Sequence, residues 1–113
     1  MKISDIFYSL QGEGYHSGKA AIFVRFFGCN LICDFCDEPL HKTNFKEMSS
    51  TEILRTISVF SSKYLVLTGG EPSLNNINPF IKDLKLRQYR VAVETNGYKP
   101  ENISESDWIT YSP

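Results

Sequence analysis

The sequence predicts an α/β fold, a parallel sheet with helices on the outside, either a small open sheet or part of a (β/α) barrel. Three observations predict it. Short runs dense in β-branched and aromatic residues alternate with amphipathic stretches at helical spacing. Strand, helix, strand, helix, strand in that order is the signature of parallel strands joined by right-handed crossovers. The segments richest in glycine and cysteine each follow the end of a strand, where parallel sheets bind their ligands.

Taken in order, Lys2 to Tyr8 is mildly strand-like and Gln11 to Lys19 is a glycine-rich loop. Ile22 to Phe27 is dense enough in β-branched and aromatic residues for a buried strand, which Gly28 ends. A helix is expected near Ser50 to Phe60. Ser49 and Glu52 fit a capping box, and Ile53, Leu54, Ile57 and Phe60 share one face. Tyr64 to Thr68 is the second buried strand. Pro79 suits the first turn of a second helix, with Phe80, Ile81 and Leu84 apolar on one side. Arg90 to Glu94 and Trp108 to Tyr111 complete two more strands, the last of which has nothing after it to cover its edge.

A chain of 113 residues, 42% hydrophobic and 13% aromatic, is long enough for one core and reads as a single domain over residues 1–113. A net charge of −1, with basic residues dispersed, gives no footprint for nucleic acid or an anionic membrane. The longest aliphatic-aromatic run, Ala20 to Val24, falls far short of the ~20 residues a membrane span needs. The N-terminus lacks the apolar core of a signal peptide, so the expected compartment is the cytoplasm.

The chemistry gathers at one end of the predicted sheet. Cys29 follows the first buried strand, Gly69-Gly70-Glu71-Pro72 the second, Thr95-Asn96-Gly97 the third and Ser112-Pro113 the fourth. Four strands at ~4.8 Å spacing span roughly 15 Å, enough for a metal cluster beside a nucleoside-sized cofactor. The three cysteines are odd in number and clustered as Cys29-x3-Cys33-x2-Cys36, which argues for a metal site over a disulfide scaffold. Cubane iron–sulfur clusters usually take four cysteines, so three leave one iron open. An open position distinguishes catalytic metal sites from closed structural ones. Structural zinc, with His41 as fourth ligand, is the competing reading of the triplet. Zinc sites normally draw paired ligands from two separated segments, whereas these sit in one loop.

The cysteine triplet with Phe35 before its last member, together with Gly69-Gly70-Glu71-Pro72, resembles the radical S-adenosylmethionine (SAM) superfamily. More narrowly, Ile6 to Gly14, Arg25 to Leu31, Thr68 to Pro72, Glu94 to Gly97 and Ser112-Pro113 are similar to the 7-carboxy-7-deazaguanine synthase family in order and spacing. The resemblance implies a partial (β/α) barrel of the radical SAM type. It implies a [4Fe-4S] cluster on Cys29, Cys33 and Cys36, with S-adenosyl-L-methionine on the open iron. It further implies cofactor contacts from Phe35, Cys36, Asp37, Gly70, Glu71 and Ser112. Gly70 would admit a close backbone approach, and Glu71 would offer a carboxylate to the cofactor's ammonium.

The implied substrate is a pterin, 6-carboxy-5,6,7,8-tetrahydropterin, converted to 7-carboxy-7-deazaguanine with loss of ammonia in queuosine biosynthesis. Leu10, Gln11, Gly12, Arg25 and Thr68 would contact it, and Glu13 would orient its amino-pyrimidine end. Arg25 is expected mid-strand on the face of Phe23 and Phe27, opposite Ile22, Val24 and Phe26. Its fork suits a bidentate carboxylate, with a structural salt bridge to Glu13 or Glu94 as the plainer reading. A reducing protein such as flavodoxin or ferredoxin, and a homodimer, are further implications.

Two departures from the family stand out. Where it usually carries a threonine on Mg²⁺, this chain has Glu38, a good hard-oxygen ligand but longer and charged. Family members also continue well past the Ser-Pro-Lys segment, so this sequence is expected to be the N-terminal part of the full length, with about half of the substrate pocket. Two other functions share part of the pattern. A glycyl-radical activase of the same superfamily would keep the cysteines and Gly69 to Pro72 without needing Gln11 to Gly14 or Arg25. A non-catalytic fragment holding a cluster or zinc would account for the bare sheet edge.

Overall fold

The computed structural model describes residues 1–10, 20–28 and 45–111. Its strands are β1 (Lys2–Leu10), β2 (Ala20–Phe26), β3 (Lys46–Glu47), β4 (Tyr64–Gly69), β5 (Arg90–Thr95) and β6 (Trp108–Tyr111), with helices α1 (Ser50–Ile57) and α2 (Asn78–Leu86). They form one sheet in the order β3-β1-β2-β4-β5-β6. The four strands β2, β4, β5 and β6 are mutually parallel neighbours, as the sequence predicts.

The two strands on the β3 side of the sheet depart from that pattern. β1 runs antiparallel to β2, and the short β3 antiparallel to β1. Residues 11–19 explain the first reversal, because a parallel crossover needs about a dozen residues or more.

Alternation of side chains divides the sheet into two faces. Ile22, Val24, Phe26, Leu65, Leu67, Val91 and Val93 point to one face, where α1 adds Ile53 and Ile57 and α2 adds Phe80, Ile81 and Leu84. Ala21, Phe23, Val66 and Ala92 form a smaller cluster on the other face, with Phe7 and Tyr64 against it and no α1 or α2 residue in it. Phe7 and Phe23 stack there with centroids 5.1 Å apart.

The sequence signals for the helices hold. Ser49 caps α1 reciprocally with Glu52, Ser49 Oγ accepting from Glu52 N at 3.1 Å and Glu52 Oε1 from Ser49 N at 3.2 Å. The helix stops at Ile57, a turn short of the expected Phe60. Ser58 N closes on the Leu54 carbonyl at 3.1 Å while Ser58 Oγ donates to the Arg55 carbonyl at 2.7 Å, a local alternative to further helix. Phe60 still packs against the core from the following turn. Pro79 lies in the first turn of α2. No described helix is long and apolar enough to cross a membrane.

Candidate active site at the strand ends

The parallel register sets a polar row across the second face. Arg25 pairs with Thr68 on the β2–β4 ladder, and Glu94 pairs with Thr110 on the β5–β6 ladder. Thr68 Oγ1 donates to Glu94 Oε1 at 3.0 Å, joining the two halves. Across β1, Asp5 is the register partner of Arg25. A bulge between Ile3 and Asp5 makes this possible, putting Ile3 on the helix face with Phe26 and Asp5 on the other with Arg25. Arg25 is half-buried, and its guanidinium carbon lies 5.6 Å from the Phe7 ring centroid, within cation–π range.

This row can bind a planar anion. Arg25 offers a fork of donors, and the Thr68 proton is committed to Glu94, so Thr68 presents lone pairs to anything else. The Glu94 charge also reaches Tyr64. The Tyr64 phenol is pushed above its ordinary 10.0 by burial first and by Glu94 second, with Arg90 opposing.

The loop after β4 is built from close backbone contact. Glu71 N donates to the Gly28 carbonyl at 2.6 Å, and a Cβ on Gly70 would overlap that same carbonyl. The absence of a side chain at Gly70 therefore lets the loop lie against the last described residue of the β2 end, immediately before Cys29. The donor chemistry of the sequence fits the implied group, since three thiolates suit an iron–sulfur cluster with one open iron, and Gly28, which precedes Cys29 in the chain, lies against Gly70 and Glu71. A cavity of about 620 Å³ opens on the helix side of this end, lined in part by Phe26, Gly28, Glu71, Pro72 and Leu74. Arg25, Thr68 and Glu94 do not line it, so it is separate from the polar row.

Glu71 is turned inward. Its side chain is 2% exposed, and Oε2 accepts from Ser73 N at 2.9 Å, from Ser73 Oγ at 2.5 Å and from Thr95 Oγ1. Oε1 accepts from Asn96 N at 2.7 Å. The carboxylate that the resemblance offers to the cofactor's ammonium thus already has four donors within the protein. Ser73 and Thr95 are both buried; the sequence singles out Thr95 only as part of the Thr95-Asn96-Gly97 segment, without a role, and Ser73 not at all. The signal for them is the pair of hydroxyl residues beside Glu71-Pro72 and Asn96-Gly97, in loops after neighbouring parallel strands.

Of the expected site residues, Arg25 and Thr68 come together, and Gly70 and Glu71 lie at the same end of the sheet. Leu10 does not join them. It pairs with Ala20, five residues down β2 from Arg25, or roughly 16 Å along a strand. It is 66% exposed and alternates to the helix face. The antiparallel direction of β1 is the reason, since it carries the strand's end away from the site. Gln11, Gly12, Glu13, Cys29, Cys33, Phe35, Cys36, Asp37, Glu38, His41 and Ser112 lie outside the described residues.

Comparison with known proteins agrees with this architecture. The radical SAM superfamily model matches residues 23–110. A 7-carboxy-7-deazaguanine synthase of Bacteroides thetaiotaomicron is 48% identical over 113 residues, covering 99% of this chain and 60% of that protein. Its Haemophilus influenzae namesake is 45% identical, covering 98% and 52%. The crystal structure of QueE from Escherichia coli superposes with a TM-score of 0.86 at 27% identity, covering 99% of this chain and 59% of that one. The chain thus spans about half to three fifths of the length of these relatives. The family match over most of its length, on a sheet with this topology, shows that the chain belongs to the radical SAM superfamily.

Proposed function

We propose that this chain is the N-terminal part of a 7-carboxy-7-deazaguanine synthase, a radical SAM lyase acting on 6-carboxy-5,6,7,8-tetrahydropterin. The observation that carries the reading is the Arg25–Thr68–Glu94 row on the face away from the helices, at the strand end where the Gly70–Glu71 loop meets Gly28. The relatives' shared name supplies the product, and the resemblance of the motifs implies the pterin substrate.

In this reading Cys29, Cys33 and Cys36 hold a [4Fe-4S] cluster. With S-adenosyl-L-methionine on its open iron and one electron from a reductant, such a cluster would supply reductive cleavage of the cofactor's sulfonium bond and thereby hydrogen-atom abstraction. The protein's own residues bind and orient the substrate. Arg25 receives its carboxylate bidentately, with the Phe7 ring beside the guanidinium limiting where it can sit. Thr68, its proton held by Glu94, accepts from a ring N–H of the pterin. Gln11 and Gly12 complete the heterocycle contacts. Phe35, Cys36, Asp37, Gly70 and Ser112 meet the cofactor, and Glu38 is the candidate Mg²⁺ ligand. The electron donor is a reducing protein of the flavodoxin or ferredoxin kind, the working form is a homodimer, and the compartment is the cytoplasm.

Anaerobic reconstitution with iron and sulfide tests the cluster. The expected result is brown protein with a reduced-state electron spin resonance signal that changes on adding S-adenosyl-L-methionine. Colourless protein holding one zinc would sink the assignment. Incubation of the reduced protein with cofactor and pterin then tests the substrate, with deazapurine formation expected. 5′-Deoxyadenosine that forms equally with and without the pterin would remove the substrate assignment and leave the superfamily membership standing.

A further inference from the structure

The two loops that follow β4 and β5 are knitted into one body by the buried side chains of Glu71, Ser73 and Thr95. Two hydroxyls, from Ser73 and Thr95, donate to the same oxygen of Glu71. Each hydroxyl also accepts a backbone N–H from the second loop, Ser73 Oγ from Lys99 N at 3.0 Å and Thr95 Oγ1 from Gly97 N at 3.0 Å. Asn102 Nδ2 donates to the Ser73 carbonyl at 2.8 Å, and Ile77 N donates to the Asn102 carbonyl at 3.2 Å. Glu71 and Ser73 follow β4, while Thr95 ends β5 and Asn96, Gly97, Lys99 and Asn102 follow it.

We propose that Ser73 and Thr95 are positioning residues for the cofactor: through Glu71 they fix the Gly70 backbone against Gly28 and lock the two loops into one platform. The inference rests on the cofactor reading above and deepens it. Its physical basis is the direction of each proton. With both hydroxyl protons and two backbone N–H groups aimed at the carboxylate, neither oxygen of Glu71 can swing outward without leaving donors unpaired, three of them buried and the Asn96 N–H partly so. The backbone on either side of Glu71 inherits that fixity, and its own N–H is the group bonded to Gly28. A cofactor docking on Gly70 then meets a surface already arranged, at no ordering cost on binding.

The substitutions Thr95→Val, Thr95→Ser and Ser73→Ala test this in the reconstituted chain, by equilibrium binding of S-adenosyl-L-methionine at a temperature where each remains folded. Amide hydrogen exchange at Asn96 and Gly97 in the chain without cluster is the parallel readout. Thr95→Val keeps shape and removes one donor, so the expected result is about tenfold weaker cofactor binding and faster exchange. Thr95→Ser restores both to near the parent. Ser73→Ala behaves like Thr95→Val, and it is the decisive variant should Thr95→Val fail to fold. In combination with Glu71→Gln, Thr95→Val adds little further loss, because both act through one carboxylate. Variants that lose thermal stability yet bind the cofactor as the parent does would overturn the positioning role alone. A parent chain that takes up a cluster and binds no cofactor would overturn the reading beneath it as well.

Discussion

Asp5 stands directly opposite Arg25 across the β1–β2 ladder, on the face of the sheet that carries Phe7, Phe23 and Thr68. The guanidinium itself lies within cation–π range of the Phe7 ring, which in turn stacks on Phe23. An aromatic surface along one side of the fork suits recognition of a planar anion.

Replacement of Arg25 by Lys keeps the charge and loses the fork. Calorimetric titration with the carboxypterin should show affinity about ten- to a hundredfold weaker, with cofactor binding unchanged. Phe7→Leu should produce a smaller loss of the same kind, because it removes the ring under the guanidinium and keeps the apolar bulk. If Arg25→Lys bound the substrate as well as the parent, Arg25 would have a structural role only.

Gly70 and Gly69 should both resist substitution. A Cβ at Gly70 overlaps the Gly28 backbone, and one at Gly69 overlaps the backbone of Phe26, on a residue whose φ of 142° already disfavours a side chain. Gly70→Ala is expected to cost about 1–3 kcal/mol in denaturant unfolding, as overpacking does elsewhere. Separation of the loop from Gly28 should also abolish cofactor binding.

The start of α1 should respond to acid. Hydrogen bonds from the Ser49 backbone and side chain, in that order, hold the Glu52 carboxyl below its ordinary 4.5. A carboxyl with a depressed folded pKa contributes stability above its ordinary value and loses it as pH falls through the folded value. Glu52→Gln should therefore flatten the acid limb of the stability curve below about pH 4.5, measured by thermal melts across pH, while Ser49→Ala, which keeps the backbone donor, should flatten it only in part. At neutral pH the loss of the Ser49 cap should cost about 1 kcal/mol.

Tyr64 supplies a test at the alkaline end. Its folded pKa lies above the ordinary 10.0, so its contribution to stability is complete below that value and is lost as pH rises toward the raised one. Glu94→Gln removes the second cause of the shift and leaves burial, the first. Ultraviolet titration should show the phenol moving down toward 10.0 while remaining above it. A titration unchanged by Glu94→Gln would show that the Glu94 charge does not reach the phenol.

Much of this fold is legible from local pattern. The capping box of Ser49 and Glu52, Pro79 in the first turn of α2 and the apolar runs of β2, β4 and β5 are properties of short segments. The alternation that put Arg25 opposite Ile22, Val24 and Phe26 is likewise local and holds in the sheet. What escaped depends on pairing between distant residues. The direction of β1 sends Leu10 to the far end of the sheet, and no feature of Leu10 itself announces it. Asp5 gains its meaning only once it is known to face Arg25. Glu71 was legible as a motif residue, but the inward turn of its carboxylate depends on Ser73 and Thr95, the latter on another strand.

The irregularity near the start of β1 also sets which changes in chain length that strand tolerates. Ser4 is the supernumerary residue, tethered by its hydroxyl to the Arg25 carbonyl at 3.2 Å. Excising it would leave Ile3 and Asp5 as consecutive residues on the sides they already occupy. Excising Ile6 instead would force Ser4 into the slot of Asp5, or turn part of the strand over. One position of this segment is thus dispensable to its two-sidedness, while the neighbours that follow are not.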